Sequence, residues 1–280
     1  MPGILYVVAT PIGNLEDVTF RAIRVLREVA VIAAEDTRRT ARLLQHYSIS
    51  TPTTSLHEHN ERARTPSLIS RLARGESVAL VSDAGTPVVS DPGAVLVAAA
   101  HSAGIRVEPV PGPSAALAAV SASGLQAEQV LFVGFPPSRA IARKRWLETL
   151  RDEPRVIVFF EAPHRIRDTL ADLLAIFGDR VVAIGRELTK AYEELVVNPI
   201  SVHLEHFTEP KGEFTLVVSG AGRDAGAPTE LPAVGTLVRE FGELTKNGQG
   251  TRRDIVKVLA ERYGVSPRDM YRLLESGKQD

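Results

Sequence analysis

The fold of this chain is decided by the stretch VALVSDAGTPVVSDPG, residues 78–93. It opens with an unbroken apolar run, which is typical of a strand that is buried on both faces. In open α/β sheets, ligands bind beyond the carboxyl ends of such strands. Asp83 follows the run directly, and Gly85 lets the backbone approach a ligand closely. The stretch therefore predicts a strand that ends at a ligand site, although a plain Gly/Pro turn with an aspartate cap also fits.

Short strands and helices alternate on both sides of this stretch. The first part has predicted strands at residues 4–9, 29–34, 78–82 and 106–110 and predicted helices at residues 20–28, 38–46, 61–74 and 94–103. Gly75 and Gly104 follow two of the helices, where a left-handed residue is expected. The alternation predicts a mostly parallel sheet with helices on both faces.

A proline-rich segment, residues 109–113, marks a boundary after this first sheet. Beyond it the pattern predicts a helix of small residues at 114–122, strands at 129–134, 155–160, 181–186, 194–197 and 214–219, and helices at 139–151 and 165–177. The run 188–201 resembles an antiparallel pair, so we expect the second sheet to be mixed.

The last part of the chain changes to an all-helical pattern. A segment rich in glycine and alanine, residues 220–228, predicts a linker. Two capping-box patterns, at residues 251–254 and 266–269, begin short helices, with Pro267 at a first helical position and Gly264 between them. We therefore predict α/β domains at 1–113 and 114–222, a linker at 223–232, and a helix-turn-helix-like domain at 233–280.

Composition limits the function classes. The 280 residues include 33 basic and 34 acidic side chains, so any contact with nucleic acid requires local basic patches. No cysteine is present, which excludes disulfides and cysteine-ligated zinc. The N-terminal apolar run is too short for a targeting signal or a membrane span. We therefore expect a cytoplasmic protein without membrane association.

Five motifs occur in a fixed order along the chain. They are LYVVATPIGNLED at 5–17, the stretch at 78–93, VEPVPGPSA at 107–115, VIVFFEAPHR at 156–165, and KGEFTLVV at 211–218. In this order they resemble the tetrapyrrole-methylase superfamily and, within it, the ribosomal RNA small subunit methyltransferase I family. The resemblance implies two α/β domains with a cofactor cleft between them, S-adenosylmethionine as methyl donor without a metal, and a homodimer. The implied reaction is 2′-O-methylation of a cytidine in the decoding region of 16S rRNA, within the small ribosomal subunit.

The motif loops offer the groups that such a donor needs. An acid suits its amino group, and the free N–H groups of a helix that begins near Ser114 suit its carboxylate. With the resemblance, the predicted cofactor residues are Thr10, Pro11, Asp83, Ala84, Gly85, Thr86, Pro87, Ser114, Ala115, Phe160, Glu161, Ala162, Gly212, Glu213 and Phe214. Ser114 as a plain helix cap, and Glu161 as a plain N-terminal acid, are alternatives.

Titratable residues mark a second group of segments. A ribose hydroxyl is weakly acidic, so a general base would help its methylation. The base candidates are Glu35, Asp36, His57 and Glu58, in segments that resemble the rRNA methyltransferase family more than the wider superfamily. Solvated helix N-termini would have the same composition. His57 and His59 lack further metal ligands, so we expect no metal.

Basic residues cluster locally in three places. The predicted RNA contacts are Arg38, Arg39, Arg42, Arg143, Lys144, Arg252 and Arg253, because arginine binds phosphates and stacks on bases. Solvated helix faces can carry the same charge runs.

Two other functions stay open at this point. One keeps the fold but methylates a porphyrinoid or a protein side chain, and activity on such a compound but not on RNA would favour it. The other is a ligand-sensing DNA-binding regulator that uses the C-terminal helices, and salt-dependent binding to duplex DNA without methyl transfer would favour it.

Overall fold

The computed structural model describes residues 1–222, 234–246, 251–263 and 265–276. The chain forms two compact units, Met1–Arg223 and Asp224–Asp280. The predicted linker at 223–232 and the predicted helix end at Gly264 lie outside the described residues. None of the described helices is both long and apolar enough to cross a membrane.

The first unit begins with a five-stranded parallel sheet, sheet A. Its strands are β1 (Leu5–Val8), β2 (Val31–Ala34), β3 (Thr53–Ser55), β4 (Val78–Val81) and β5 (Val107–Val110), in the order β3-β2-β4-β1-β5. Every residue of β2 and β4 is buried, as their unbroken apolar runs predict. The predicted parallel sheet is confirmed, but β3 was not predicted because its three Thr and Ser residues have no apolar pattern.

Helices cover both faces of sheet A. They are α1 (Phe20–Glu28), α2 (Thr37–His46), α3 (Glu61–Ala73) and α4 (Ala94–Ser102). Leu26 of α1 and Leu43 of α2 pack with Ile32 on one face, whereas Leu72 of α3 and Leu96 of α4 pack on the other. Gly75 and Gly104 have φ angles of 92° and 67°, as expected for residues that end helices.

The second sheet, sheet B, is mixed, which confirms the prediction. Its strands are β6 (Val130–Phe132), β7 (Val156–Glu161), β8 (Val181–Arg186), β9 (Glu194–Pro199) and β10 (Phe214–Val218), in the order β6-β7-β10-β8-β9. Only the β6–β7 pair is parallel among the pairs of this sheet in the described chain. Its helices are α5 (Ala115–Ala122), α6 (Ala140–Leu150), α7 (Ile166–Phe177) and α8 (Ile200–His206), of which α8 was not predicted.

The chain passes from one sheet to the other near residue 113. Ala119 and Val120 of α5 already pack on Val156, Val158 and Val217 of sheet B. We call residues 1–113 lobe 1 and residues 114–222 lobe 2. Their status as separate domains stays a prediction, because both lobes belong to one compact unit.

The second unit contains three described helices, α9 (Val234–Lys246), α10 (Arg252–Arg262) and α11 (Pro267–Ser276). Leu237, Ile255, Leu259 and Met270 form its apolar core. Thr251 and Asp254 make a complete capping box, as predicted. The predicted C-terminal helices are therefore confirmed.

A buried ion pair joins α6 to α7 in lobe 2. Arg143 is 3% exposed, and its Nε and Nη2 atoms both lie 2.8 Å from Asp172 Oδ2. The prediction that Arg143 contacts RNA is therefore wrong, because its guanidinium is enclosed and paired. The sequence places Arg143 in a basic run, and only the packing of α6 shows which member of the run faces inward.

Replacing Asp172 with alanine should lower the free energy of unfolding by about 3–5 kcal/mol, because Arg143 is then buried without a counter-charge. Urea denaturation measures this loss. Lys144→Ala is the matched control, since Lys144 Nζ is 3.5 Å from Asp172 Oδ1 and its side chain is 57% exposed. The control should lose only about 0–1 kcal/mol. Equal losses in both variants would contradict the role assigned to the pair.

Candidate cofactor and substrate site

Three motif loops meet at the carboxyl edge of sheet A. The peptide groups of Thr10 and Gly85 donate to each other in both directions, with N–O distances of 2.9 Å. The Thr86 hydroxyl donates to the Pro113 carbonyl at 3.2 Å. The loops that follow β1, β4 and β5 are therefore bonded to one another, at the edge where ligands of such sheets bind.

The loop after β4 has an unusual backbone. Gly85 has a φ of 78°, and an added Cβ would lie 3.4 Å from Ile12 Cγ2. Val88 and Ser90 also have positive φ angles, of 74° and 67°. Positive φ is rare for a β-branched residue, and such strain is concentrated at functional sites. The backbone therefore supports a functional role for the loop.

Hydrogen bonds join the ends of β2 and β4. The Asp83 N–H donates to Glu35 Oε2 at 3.2 Å, and the Asp36 N–H donates to Asp83 Oδ1 at 3.0 Å. Arg39 Nη1 lies 3.4 Å from Asp83 Oδ2. Asp83 therefore has a structural role at this edge, while its side chain stays 24% exposed. Asp83, a predicted cofactor residue, therefore lies beside Glu35 and Asp36, two of the base candidates.

The four base candidates differ in their surroundings. Hydrogen bonds from Arg38 hold the pKa of Asp36 well below its usual range, so Asp36 is a weak proton acceptor. Glu35 is half-buried and accepts only the backbone bond from Asp83 within the described chain. His57 is half-buried, and its Nδ1 has no hydrogen-bond partner among the described residues. Glu58 is exposed.

Asp91 is a titratable residue of this edge that is not among the predicted site residues. Its pKa is raised to about 6, mainly by burial and also by the negative charges of Glu35 and Asp83, whereas a hydrogen bond from Ser82 acts in the opposite direction. A carboxylate with a pKa in this range can accept a proton near neutral pH. In the sequence, Asp91 stands in an Asp-Pro-Gly pattern, which by itself indicates only a turn.

Glu61 connects the two segments that carry these groups. It is 8% exposed, and its Oε1 accepts the N–H groups of Gly93, Val95 and Leu96 at 3.0, 2.8 and 3.3 Å. It thereby caps α4, whose own N-cap residue has no side chain. Although Glu61 is the first residue of α3, its charge is not solvated but is buried against another helix.

The facing edge of sheet B contains the remaining cofactor candidates. Phe214, at the start of β10, pairs with Glu161 at the end of β7 and with Arg186 at the end of β8. The start of one strand and the ends of two others therefore lie together. The Glu161 side chain is fully buried and accepts bonds from Ala162 N, Arg165 Nη2 and Thr169 Oγ1 at 2.7, 2.7 and 2.6 Å. Its carboxylate has the structural role of a helix N-terminal acid, and it is not available to a ligand.

Other candidates also have structural roles. The Phe214 side chain lies in the core of lobe 2, so its predicted place in the cofactor wall is wrong for the ring. Gly212 has a φ of 90°, and an added Cβ would lie 2.4 Å from Glu187 Cγ. Thr10 is 4% exposed, and its hydroxyl donates to the Ser82 carbonyl at 3.2 Å. These residues shape the edge without offering their side chains.

Several candidates remain accessible. Ala84 is exposed and Pro11 and Ala162 are half-buried, whereas Pro87 is buried and is not accessible. Ser114 caps α5, accepting the Leu117 N–H at 3.5 Å. The N–H groups of Ala115 and Ala116 in the first turn have no partner within the described residues. The start of α5 therefore offers free donors.

The two lobes touch at two places beside these edges. The Asn14 N–H donates to Thr189 Oγ1 at 3.0 Å, and a Cβ added to Gly13 would lie 2.4 Å from Lys190 Cγ. Lys190 Nζ in turn lies 2.9 Å from Glu213 Oε2. At the second place, a Cβ added to Gly134 would lie 3.0 Å from Ser90 Oγ. The predicted cofactor segments of both lobes therefore lie next to each other, and the space between them is the predicted cleft.

The basic candidates are only partly available. The side chains of Arg38 and Arg39 are 89% and 63% exposed, and Arg42 and Arg253 are also exposed. Arg252 pairs with Glu275 and lies 5.6 Å from the Tyr271 ring, but its side chain is 50% exposed, so its RNA contact stays a prediction. We therefore withdraw only Arg143 from the predicted RNA contacts.

Two surface cavities lie outside this cleft. Their volumes are about 330 and 220 Å³, and both are formed by lobe 2 around Glu209 and Pro210. Neither is lined by a predicted cofactor, base or RNA residue. The described residues contain no group of three or more His, Asp or Glu side chains that could hold a metal ion.

Comparison with known proteins identifies the family. The family described as Tetrapyrrole (Corrin/Porphyrin) Methylases matches residues 4–202. A protein from Synechocystis sp., named Ribosomal RNA small subunit methyltransferase I, is 45% identical over 276 residues, which cover 97% of each chain. A protein of the same name from Xylella fastidiosa is 48% identical over 245 residues, 85% of this chain and 90% of that one. This chain belongs to the ribosomal RNA small subunit methyltransferase I family.

Solved structures extend this result to the fold. The methyltransferase CobJ matches with a TM-score of 0.60 and 19% identity, over 78% of this chain and 95% of that one. Uroporphyrin-III C-methyl transferase from Thermus thermophilus, complexed with S-adenyl homocysteine, matches with a TM-score of 0.56 and 19% identity, over 78% and 97%. The predicted fold is thereby confirmed, and membership in the rRNA small subunit methyltransferase I family confirms the predicted enzyme class, a methyltransferase.

The raised pKa of Asp91 predicts a pH-dependent contribution to stability. From about pH 4 to pH 7 the folded chain holds the Asp91 proton more tightly than the unfolded chain does, so this contribution is lost as the pH rises. Asp91→Asn does not titrate. The free energy of unfolding of the wild type, relative to Asp91→Asn, should therefore fall as the pH rises, as measured by urea denaturation at several pH values.

Asp36→Asn is a control for which the pH dependence of the free energy of unfolding should have the opposite sign. The pKa of Asp36 is lowered, so its contribution is present at neutral pH and is lost on acidification. A difference between wild type and Asp91→Asn that stayed constant with pH would contradict the assigned environment of Asp91.

Proposed function

We propose that this chain transfers the methyl group of S-adenosylmethionine to the ribose 2′-hydroxyl of a cytidine in the decoding region of 16S rRNA. The observation that carries the proposal is the meeting of three motif loops at one edge of sheet A, facing lobe 2. The names of relatives that match 97% of this chain at 45% identity support small-subunit rRNA as the substrate.

The residues at this edge fit the parts of the methyl donor. Asp83 offers a partly exposed carboxylate for an amino group. The free N–H groups at the start of α5 suit a carboxylate, since a helix N-terminus favours negative charge. Ile12 and Phe160 are half-buried apolar surfaces on the two lobes that suit an adenine ring. We retain the predicted cofactor residues, except for the carboxylate of Glu161 and the ring of Phe214.

The chain's own residues have two tasks in the reaction. When bound, S-adenosylmethionine supplies an electrophilic methyl group, so the protein needs only to position the hydroxyl and accept its proton. Glu35 and Asp91 are the best-placed acceptors, because both are half-buried at the end of sheet A. His57 and Glu58 stay as further base candidates.

RNA binding is assigned to exposed cations, some of which flank this edge. Arg39 and Arg42 lie on α2, which begins directly after Glu35 and Asp36. The retained set is Arg38, Arg39, Arg42 and Lys144 in the first unit and Arg252 and Arg253 in the second. The proposal also includes a homodimer that acts in the cytoplasm, where its rRNA substrate is found, and both parts rest on the family resemblance.

The two alternatives have less support. Structural neighbours named as uroporphyrin-III C-methyltransferases match at about one-fifth identity, which shows a shared fold only. A DNA-binding regulator needs a helix that reads bases, but α11 has no Asn or Gln and buries Met270 and Leu274 in its own unit.

The main test uses small subunits that lack the modification. Incubation with the wild-type chain and S-adenosylmethionine should methylate one cytidine ribose, located by mass mapping of rRNA fragments. Absence of ribose methylation, with the donor bound normally, would overturn the proposed substrate.

A variant tests the assigned donor site. Asp83→Ala should raise the Kd of S-adenosylmethionine by about tenfold or more, with the Kd of RNA changed by less than about threefold. Calorimetry and filter binding measure these constants. Asp17→Ala, an exposed acid in the loop after β1, is the matched control and should leave both constants unchanged. A larger effect of Asp83→Ala on RNA than on the donor would contradict the assignment.

A further inference from the structure

The aromatic ring of Phe135 is exposed to solvent and is supported by contacts with other aromatic rings. The residue is 54% exposed. Its ring centroid lies 5.4 Å from that of Phe160, which in turn lies 5.1 Å from that of Phe132 in an edge-to-face contact. Phe135 is therefore the outermost of three rings that support one another.

The backbone around Phe135 is held on both sides. The Gly134 carbonyl accepts the Phe160 N–H at 2.8 Å, and Gly134 has a φ of 69°, which turns the chain outward. Pro136 is buried, and its carbonyl accepts a bond from Arg165 Nη1 at 3.4 Å. A ring held in this way loses little conformational entropy when a planar ligand stacks on it.

The ring lies beside the strained loop of lobe 1. Gly134 directly precedes Phe135, and a Cβ added to Gly134 would lie 3.0 Å from Ser90 Oγ in lobe 1. Ser90 directly precedes Asp91, one of the two best-placed proton acceptors. Phe135 is thus at the rim of the cleft, next to the proposed place of reaction.

Unpaired positive charge follows the ring along the chain. Arg139, at the start of α6, and Arg145, further along it, are exposed and have no ion-pair partner within the described residues. Aromatic faces beside guanidinium groups bind unpaired nucleotides, since the rings stack on bases while the cations contact phosphates. S-adenosylmethionine contains no phosphate, so this combination fits RNA better than the methyl donor.

We propose that Phe135 is a stacking surface for an unpaired base of the RNA substrate at the rim of the cleft, with Arg139 and Arg145 on the adjoining phosphates. The inference rests on the proposed function and names a contact that orients the RNA. A base stacked on a fixed ring limits the positions that the attached ribose can take, which favours its placement near Asp91.

The test compares three substitutions in the full chain. Phe135→Ala should raise the Kd and KM for unmodified small-subunit RNA by about five- to hundredfold, because stacking on one ring is lost. Phe135→Trp should restore binding to within about threefold of the wild type, since it keeps an aromatic face. Ile141→Ala is the matched control, because Ile141 is a 73% exposed apolar residue on α6 that has no aromatic ring. It should leave RNA binding unchanged.

Two further measurements test whether the Phe135 ring instead binds the methyl donor or contacts a second copy of the chain. The Kd of S-adenosylmethionine and the mass of the protein in solution should be the same in Phe135→Ala as in the wild type. Loss of donor affinity would assign the ring to the donor site, and a change in mass would assign it to contact with a second copy. Either result, or unchanged RNA affinity in Phe135→Ala, would overturn the inference.

The arginines provide an independent readout. Arg139→Ala with Arg145→Ala should reduce the slope of log K against log salt by about 1–2, because up to two phosphate contacts are removed. An unchanged slope would remove the phosphate part of the inference. Failure of the wild type to methylate rRNA, with normal RNA binding that Phe135→Ala weakens, would overturn the proposed reaction but not the stacking surface.

Discussion

Parallel pairing in sheet A is the constraint on which the site depends. Because β1, β2, β4 and β5 run in the same direction, their carboxyl ends share one edge, and the loops that follow them meet there. The paired peptide groups of Thr10 and Gly85 then fix two of these loops at N–O distances of 2.9 Å. The left-handed backbone at Gly85 makes this close approach possible. The same edge therefore combines a free helix N-terminus, a partly exposed aspartate and a half-buried one.

Several buried charged side chains stabilise the structure of this protein. Glu61 caps α4 from α3, Glu161 is enclosed by Arg165 and Thr169, and Arg143 is paired with Asp172. Each charge satisfies backbone or side-chain groups that would otherwise be buried without partners, which is costly. These contacts hold the segments that carry Asp91, Phe160 and α6. These buried charges therefore hold the structure and are not free to act in the reaction.

Most strands and helices were predicted correctly from the sequence, and those that were missed have short or polar segments that explain the error. The strands and helices around the stretch at 78–93 were predicted because unbroken apolar runs and helical spacing are strong patterns. The strand β3 and the helix α8 were missed, since three polar edge residues and a seven-residue helix have no such pattern. The motif loops were placed correctly at strand ends. The roles of Glu61 and Asp91 were missed, because burial and neighbouring charges arise only when distant segments pack.

The sequence by itself determined the α/β alternation, the parallel and mixed sheets, the helical C-terminal part and the family, because these depend on local periodicity and on the order of motifs. Only the tertiary structure decided which charged side chains are available. Glu161 and Arg143 have the same residue types as functional groups, yet their partners enclose them. Asp91 and Phe135 are not among the predicted site residues, but folding gives Asp91 a raised pKa and Phe135 a supported, exposed ring. The physical reason is that burial and electrostatic surroundings are set by contacts between residues far apart in the chain.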